Sequence, residues 1–209
     1  MKVSAKGGDF EQCPTGSHIA RCIKLLDIGT QKGEWKGKPT HTHKIIIGWE
    51  LPTALMTEGE NAGKPFVVSK FYTFTISEKS NLRPDLVSWR GREFTTEEEN
   101  EFDMKNILGK PCMLSVTAND KGKSIVSAVM AMPKGMEAPP QFNPTAYLSL
   151  ERGEFDQKLF DSLSEKMQSM ISDSPEWLEL QEPDKVPPTQ NHDAKMPAGF
   201  DNFDDDIPF

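Results

Sequence analysis

Lysines and arginines interleave with aromatic rings between positions 21 and 74. Arg21, Lys24, Lys32, Lys36, Lys38, Lys44, Lys64 and Lys70 lie among Trp35, Trp49, Phe66, Phe71, Tyr72 and Phe74. Cations neutralise phosphates and rings stack on the faces of bases, at about 1–3 kcal/mol per base, which is the chemistry of sequence-neutral binding to a single strand. A second kind of chemistry stands at the other end, Asp204-Asp205-Asp206-Ile207-Pro208-Phe209. Three carboxylates attract a basic rim, while Ile207 and Phe209 suit a small apolar pocket and the terminal carboxylate can pair with Arg or Lys. A purely solubilising tail gains nothing from an exposed Phe. Such a short peptide binds weakly, in the micromolar range, and exchanges among partners.

Enzymatic chemistry has no comparable support. No GxxxxGKS loop, Ser–His–Asp order or paired-carboxylate pattern occurs. His41-Thr42-His43 resembles half a metal site, but neither CxxC nor HxxxH spacing accompanies it. The expectation is a binding protein with no catalytic residues, no metal and no cofactor. Cys13, Cys22 and Cys112 are an odd number at no framework spacing, which predicts reduced, buried thiols in a cytoplasm. The first eight residues lack the apolar stretch of a signal peptide, and no run of 18 apolar residues occurs.

A net charge of −8 is unexpected for a nucleic-acid binder until it is divided along the chain. Residues 1–140 carry 19 Lys+Arg against 17 Asp+Glu, a balance of +2; residues 141–209 carry 5 against 15, a balance of −10. The acidity is local to the C-terminal third, so body and tail are expected to meet different partners.

The elements that must position these groups read as mainly β. Strands are predicted at 17–28, 42–51 and 66–76, with 31–39 (QKGEWKGKP) as a basic loop between the first two. Helical spacing of Leu82, Leu86 and Trp89 follows, then a capping box at Thr95–Glu98 opening a helix to about Leu108. Two strands, 112–118 and 124–132, flank an Asn119–Gly122 turn and form a hairpin. This order predicts a five-stranded OB-like Greek-key barrel over residues 1–135, with a helical insert between strands three and four. Residues 136–179 read as a loop and one amphipathic helix, with Phe155, Leu159, Leu163, Met167, Met170 and Ile171 in a stripe for the barrel or a partner. Residues 180–209 carry too few large apolar residues to offset ordering and read as a disordered acidic linker and tip.

Alternation sorts the rings. In the third strand Phe66, Val68, Tyr72, Phe74 and Ile76 share the more apolar face, expected to point inward, and Lys70 in that register predicts a bulge. Phe71 falls on the opposite face as a stacking residue. Trp49 shares a face with Ile45 and Ile47 and reads as core; Trp35, with no pattern to bury it, is the leading stacking residue. The DNA contacts expected are Trp35, Lys36, Lys38, Lys44, Lys70, Phe71, Arg21 and Lys24. Arg83, Arg90 and Arg92 could extend the path, though a solvated helix face explains them equally well.

The ending DDDIPF resembles the tip of bacterial single-stranded DNA-binding proteins, in which a disordered linker joins an OB-fold body to a tip that docks on replication, recombination and repair proteins. The segments HKIIIGWELP, KSNLRPDLVSWRGREF and NILGKPC resemble phage-encoded OB-fold proteins thought to bind single-stranded DNA. These resemblances imply a phage protein, acting in its host's cytoplasm, that coats single-stranded DNA, recruits repair or replication proteins through Asp204–Phe209, and can be a homo-oligomer. The competing expectations are an interaction protein that mimics the host tip without binding DNA, and an OB protein directed to RNA or duplex.

Overall fold

The computed structural model describes residues 11–182, so the tip Asp204–Phe209 and nearly all of its linker lie outside the described residues. The strands are β1 (Gly16–Trp35), β2 (Lys38–Leu55), β3 (Pro65–Thr73), β4 (Pro111–Ala118), β5 (Ser124–Met130) and β6 (Ala146–Leu148). They form an open sheet ordered β3-β2-β1-β4-β5, antiparallel throughout, with β6 added in parallel to β1. The helices are α1 (Leu82–Arg90), α2 (Thr96–Glu101), α3 (Gln157–Ser162), α4 (Glu165–Ser172) and α5 (Pro175–Gln181), with short 3-10 turns at Gly59–Asn61 and Met104–Ile107. The mainly β class and the 119–122 hairpin agree with the sequence expectation.

The first two strands are longer than their apolar runs. The segment 31–39, expected as a loop, is the far end of a continuous β1–β2 hairpin paired from Thr30↔His43 to Trp35↔Lys38. Its turn is the two residues Lys36 and Gly37, both left-handed at φ 51° and 76°. That geometry matches the twist of a two-residue hairpin, and Gly37 supplies half of it without strain. Polar strand residues carried no alternation signal because both faces of this arm meet solvent.

Beyond the arm, the middle of β1 and β2 is covered on both faces. Ile45, Ile47, Trp49 and Leu51 of β2 join Cys22, Leu25, Phe66, Val68 and Tyr72 in the inner core, beneath Leu82, Leu86 and Trp89 of α1. Ile46 faces the other way, into a second core with Leu26, Ile28, Leu148, Leu150, Phe160 and Ile171. Double coverage is why β2 reads as an unbroken apolar run.

The stripe from Phe155 to Ile171 does pack on the sheet, but not as one helix. It is broken into α3 and α4, and α5 follows with Ser174 as its cap and Pro175 at its first position, a start signal overlooked in the sequence. The capping box at Thr95 and Glu98 forms both of its bonds. Its helix stops at Glu101 rather than near Leu108, because Phe102 turns in to meet Phe94 edge-on at 5.2 Å.

α5 is clasped to the base of the arm. Glu176 accepts hydrogen bonds from the Thr30 amide, at 2.8 Å, and the Thr30 hydroxyl. His43 stands between two carboxylates, its Nε2 2.7 Å from Asp27 Oδ1 and its Nδ1 3.5 Å from Glu176 Oε1. The hydrogen bond to Asp27 holds the imidazole pKa above its ordinary value against the opposing effect of burial, and the Asp27 and Glu176 charges add to it. A raised folded value means the contact contributes fully below the unfolded pKa of about 6.5 and is lost as pH rises through the folded one. An NMR titration of the His43 ring is expected to give a midpoint above about 6.5, and Asp27→Asn to lower it. A midpoint that ignores Asp27→Asn would remove the clasp.

Candidate nucleic-acid interface

The outer face of β1, β2 and β3 is built of cross-strand rows. Pairing aligns Arg21 with Glu50 and Glu50 with Val67, then Lys24 with Gly48 and Gly48 with Ser69, then Leu26 with Ile46 and Ile46 with Phe71. The last row begins under the second core, but at β3, the edge strand, Phe71 stays 45% exposed and Val67 43%. Inward neighbours Phe66, Val68 and Tyr72 are buried, as the alternation requires.

Lys24 reaches this face through a bulge. Between Cys22 and Lys24, β1 carries one residue more than β2. The extra residue lets Arg21 and Lys24, three apart, point to the same side. Gly48 then leaves room for the Lys24 stem: a Cβ at Gly48 would stand 2.9 Å from Lys24 Cβ and 3.4 Å from its Cδ. The stem crosses the strand at a site where any side chain would displace it. Lys44 lies on the same face, two residues before Ile46.

Residues 139–143, in a stretch whose composition predicts a loop, complete the face. Glu50 is fully buried, and its carboxylate accepts from the Phe142 amide (2.8 Å), the Asn143 amide (2.8 Å) and Asn143 Nδ2 (2.9 Å). Arg21 donates to the carbonyls of Gly109 (2.7 Å) and Pro139 (3.0 Å). These two neighbours tie residues 139–143 to the sheet and present the Phe142 ring, 60% exposed. Only the charge of Glu50 within an apolar strand, HKIIIGWEL, hinted that something must satisfy a buried carboxylate there.

The expected contacts therefore divide. Lys24, Lys44 and Phe71 share the outer face. Trp35, Lys36 and Lys38 stand at the tip of the arm, with Trp35 69% exposed and the Lys36 ammonium 5.8 Å from its ring centroid. Arg21 faces outward, but its guanidinium is engaged with the two carbonyls. Lys70 is on the inner side: no register shift occurs between Phe66 and Thr73, so the bulge expected there is absent. Its ammonium lies 2.7 Å from Asp85 Oδ2, which also accepts the Tyr72 hydroxyl at 2.7 Å. Phe74, expected inward, is 44% exposed because β3 ends at Thr73, and its ring meets His43 instead. Trp49 is core, as its register predicts.

The thiols are buried, and burial raises the Cys22 pKa to about 12. Among the described residues no group of three or more His, Cys, Asp or Glu could hold a metal ion. No described helix is long and apolar enough to cross a membrane.

Glu50→Gln must turn an NH2 toward at least one of the donors that Glu50 now accepts. The substitution is expected to cost about 1–3 kcal/mol in urea unfolding and to open residues 139–143 to limited proteolysis. Native protease resistance in that variant would refute the tie. Compared with family models, curated proteins and solved structures, the chain matches none, so any function must be argued from its own residues.

Proposed function

We propose that the chain binds single-stranded DNA without sequence preference across the outer face of β1–β3 and the β1–β2 arm. The observation that carries this is Phe71 on the same face as Lys24 and Lys44: an exposed ring among cations with no ion pair to a described residue, within the stretch 1–140 whose balance is +2. Bases stack on Phe71, on Phe142 and on Trp35 at the arm, while Lys24, Lys44, Lys36 and Lys38 follow the phosphates. Arg21 and Lys70 serve the structure and leave the list of contacts.

Strand order supports an OB-type barrel as the scaffold. β1 is shared between the β1–β2–β3 meander and the β4–β5 hairpin, and the helical insert lies between β3 and β4. β3 and β5, the two ends of the order, come into contact, as closure of such a barrel requires. The tip Asp204–Phe209, by its chemistry, recruits replication or repair proteins to the strand so coated.

Binding of oligo-dT is expected to quench tryptophan fluorescence and to weaken with salt. Phe71→Ala and Phe142→Ala should each lose about 1–3 kcal/mol of affinity. Lys24→Ala should reduce the steepness of the salt dependence by about 0.7, one phosphate's share on a single strand. Lys70→Ala should change neither. If oligo-dT at low salt leaves the fluorescence unchanged and gives no gel shift, the proposal fails, and an interaction protein without DNA is left. Deleting Phe209 is expected to abolish pull-down of partner proteins while leaving DNA binding in place.

A further inference from the structure

The outer face does not end at β1. Pairing continues its row Val67–Glu50–Arg21 to Pro111 on β4, three strand spacings or about 14 Å from the edge strand. Phe142, whose amide is anchored on Glu50, stands midway along that row. Arg21 donates to the carbonyls of both Gly109 and Pro139, so the 139–143 segment and the start of β4 adjoin.

Pro111 is also the lip of a groove between the end of α1 and the Met104–Ile107 turn. The groove encloses about 430 Å³, within the roughly 300–1,000 Å³ of small-ligand sites. Trp89, Phe102 and Pro111 give it an apolar floor, and its charged groups are Arg90, Arg92, Lys110 and Glu98. Three cations against one acid leave a surplus of positive charge. Arg90 is fixed between the rings of Phe94 and Phe102, at 4.3 and 5.1 Å from their centroids. It shares Glu98 with Arg92. Lys110 is exposed and makes no ion pair with a described residue.

We propose that a single strand continues past Phe142 and Lys110 and seats its last bound nucleotide in this groove, a path that rests on DNA binding at the outer face. The apolar floor takes the flat face of a base, while Lys110 and Arg92 meet the phosphate with charge-assisted hydrogen bonds. Continuity with the outer face selects a nucleotide over other anions. The bound segment ends there. Glu97 and Glu101 are exposed on α2, the helix that also brings Glu98 to the groove, and they repel a further phosphate. Arg90 and Arg92 thus serve the strand, whereas Arg83 is engaged by Glu99 at 2.6 Å.

Trp89 reports on the seat, because its ring lines the groove and its Nε1–H donates to the Pro111 carbonyl at 2.8 Å. The experiment titrates the full chain with oligo-dT of about 4 and about 16 nucleotides, the two ends of the range for one OB-type domain, and follows the indole N–H signals by NMR. The long oligomer is expected to shift the Trp89 signal and the short one to leave it in place. Lys110→Ala, a surface change, should reduce the steepness of the salt dependence by about 0.7 for the long oligomer and leave that of the short one unchanged. A Trp89 signal that ignores the long oligomer, or moves equally with both, overturns the path. So does a Lys110→Ala salt dependence equal to the native one. If the short oligomer then still binds and needs Phe71, the groove alone is lost; if neither oligomer binds, the outer face falls with it.

Discussion

Strand β1 holds one residue more than β2 can match between Cys22 and Lys24, and the outer face depends on that surplus. In a regular strand, Arg21 would share its side with Ile23 and Leu25, and Lys24 would point into the inner core. The bulge resets the alternation, so that Leu25 enters the inner core, while Lys24 shares the outer face with Leu26, which enters the second core. A second irregularity between Asp27 and Thr30 turns the strand again where the arm begins. One strand thus serves β4, β6, β2 and the arm in succession, which a straight strand could not do.

Buried charge then finishes what the register starts. Glu50 sits next to Arg21 in the pairing, and each holds backbone of the 139–143 segment rather than solvent. A carboxylate wholly out of water is tolerated here because three N–H groups converge on it. The position of Phe142 is therefore inherited from an acid on β2, ninety-two residues earlier in the chain.

What was legible in the sequence follows from period and from local chemistry. Ile45, Ile47 and Trp49 against Ile46 and Glu50, the α1 triplet Leu82–Leu86–Trp89, and the Thr95–Glu98 box each carry their own signal within a few residues. Phe71 as an exposed ring on β3 was readable for the same reason. The arm was not, since a ribbon solvated on both sides has no apolar period and its Lys-Gly turn is an uncommon choice for two left-handed residues. Nor was the commitment of Lys70 to Asp85, or of Arg21 to two carbonyls, because both are long-range pairings. Bulges leave no composition of their own, so Lys24 could be named but not placed.

The arm has a further consequence. From Gln31 to Thr42 it is a two-stranded ribbon whose outer edges pair with no other strand of the sheet. Open edges invite pairing with another chain, and lysines and prolines are the residues that discourage it. Lys32, Lys36, Lys38 and Pro39 are all exposed on this ribbon. The charges assigned to phosphates are thus also the guard against arm-to-arm aggregation, and a chain stripped of them to abolish one property would surrender its colloidal stability with it.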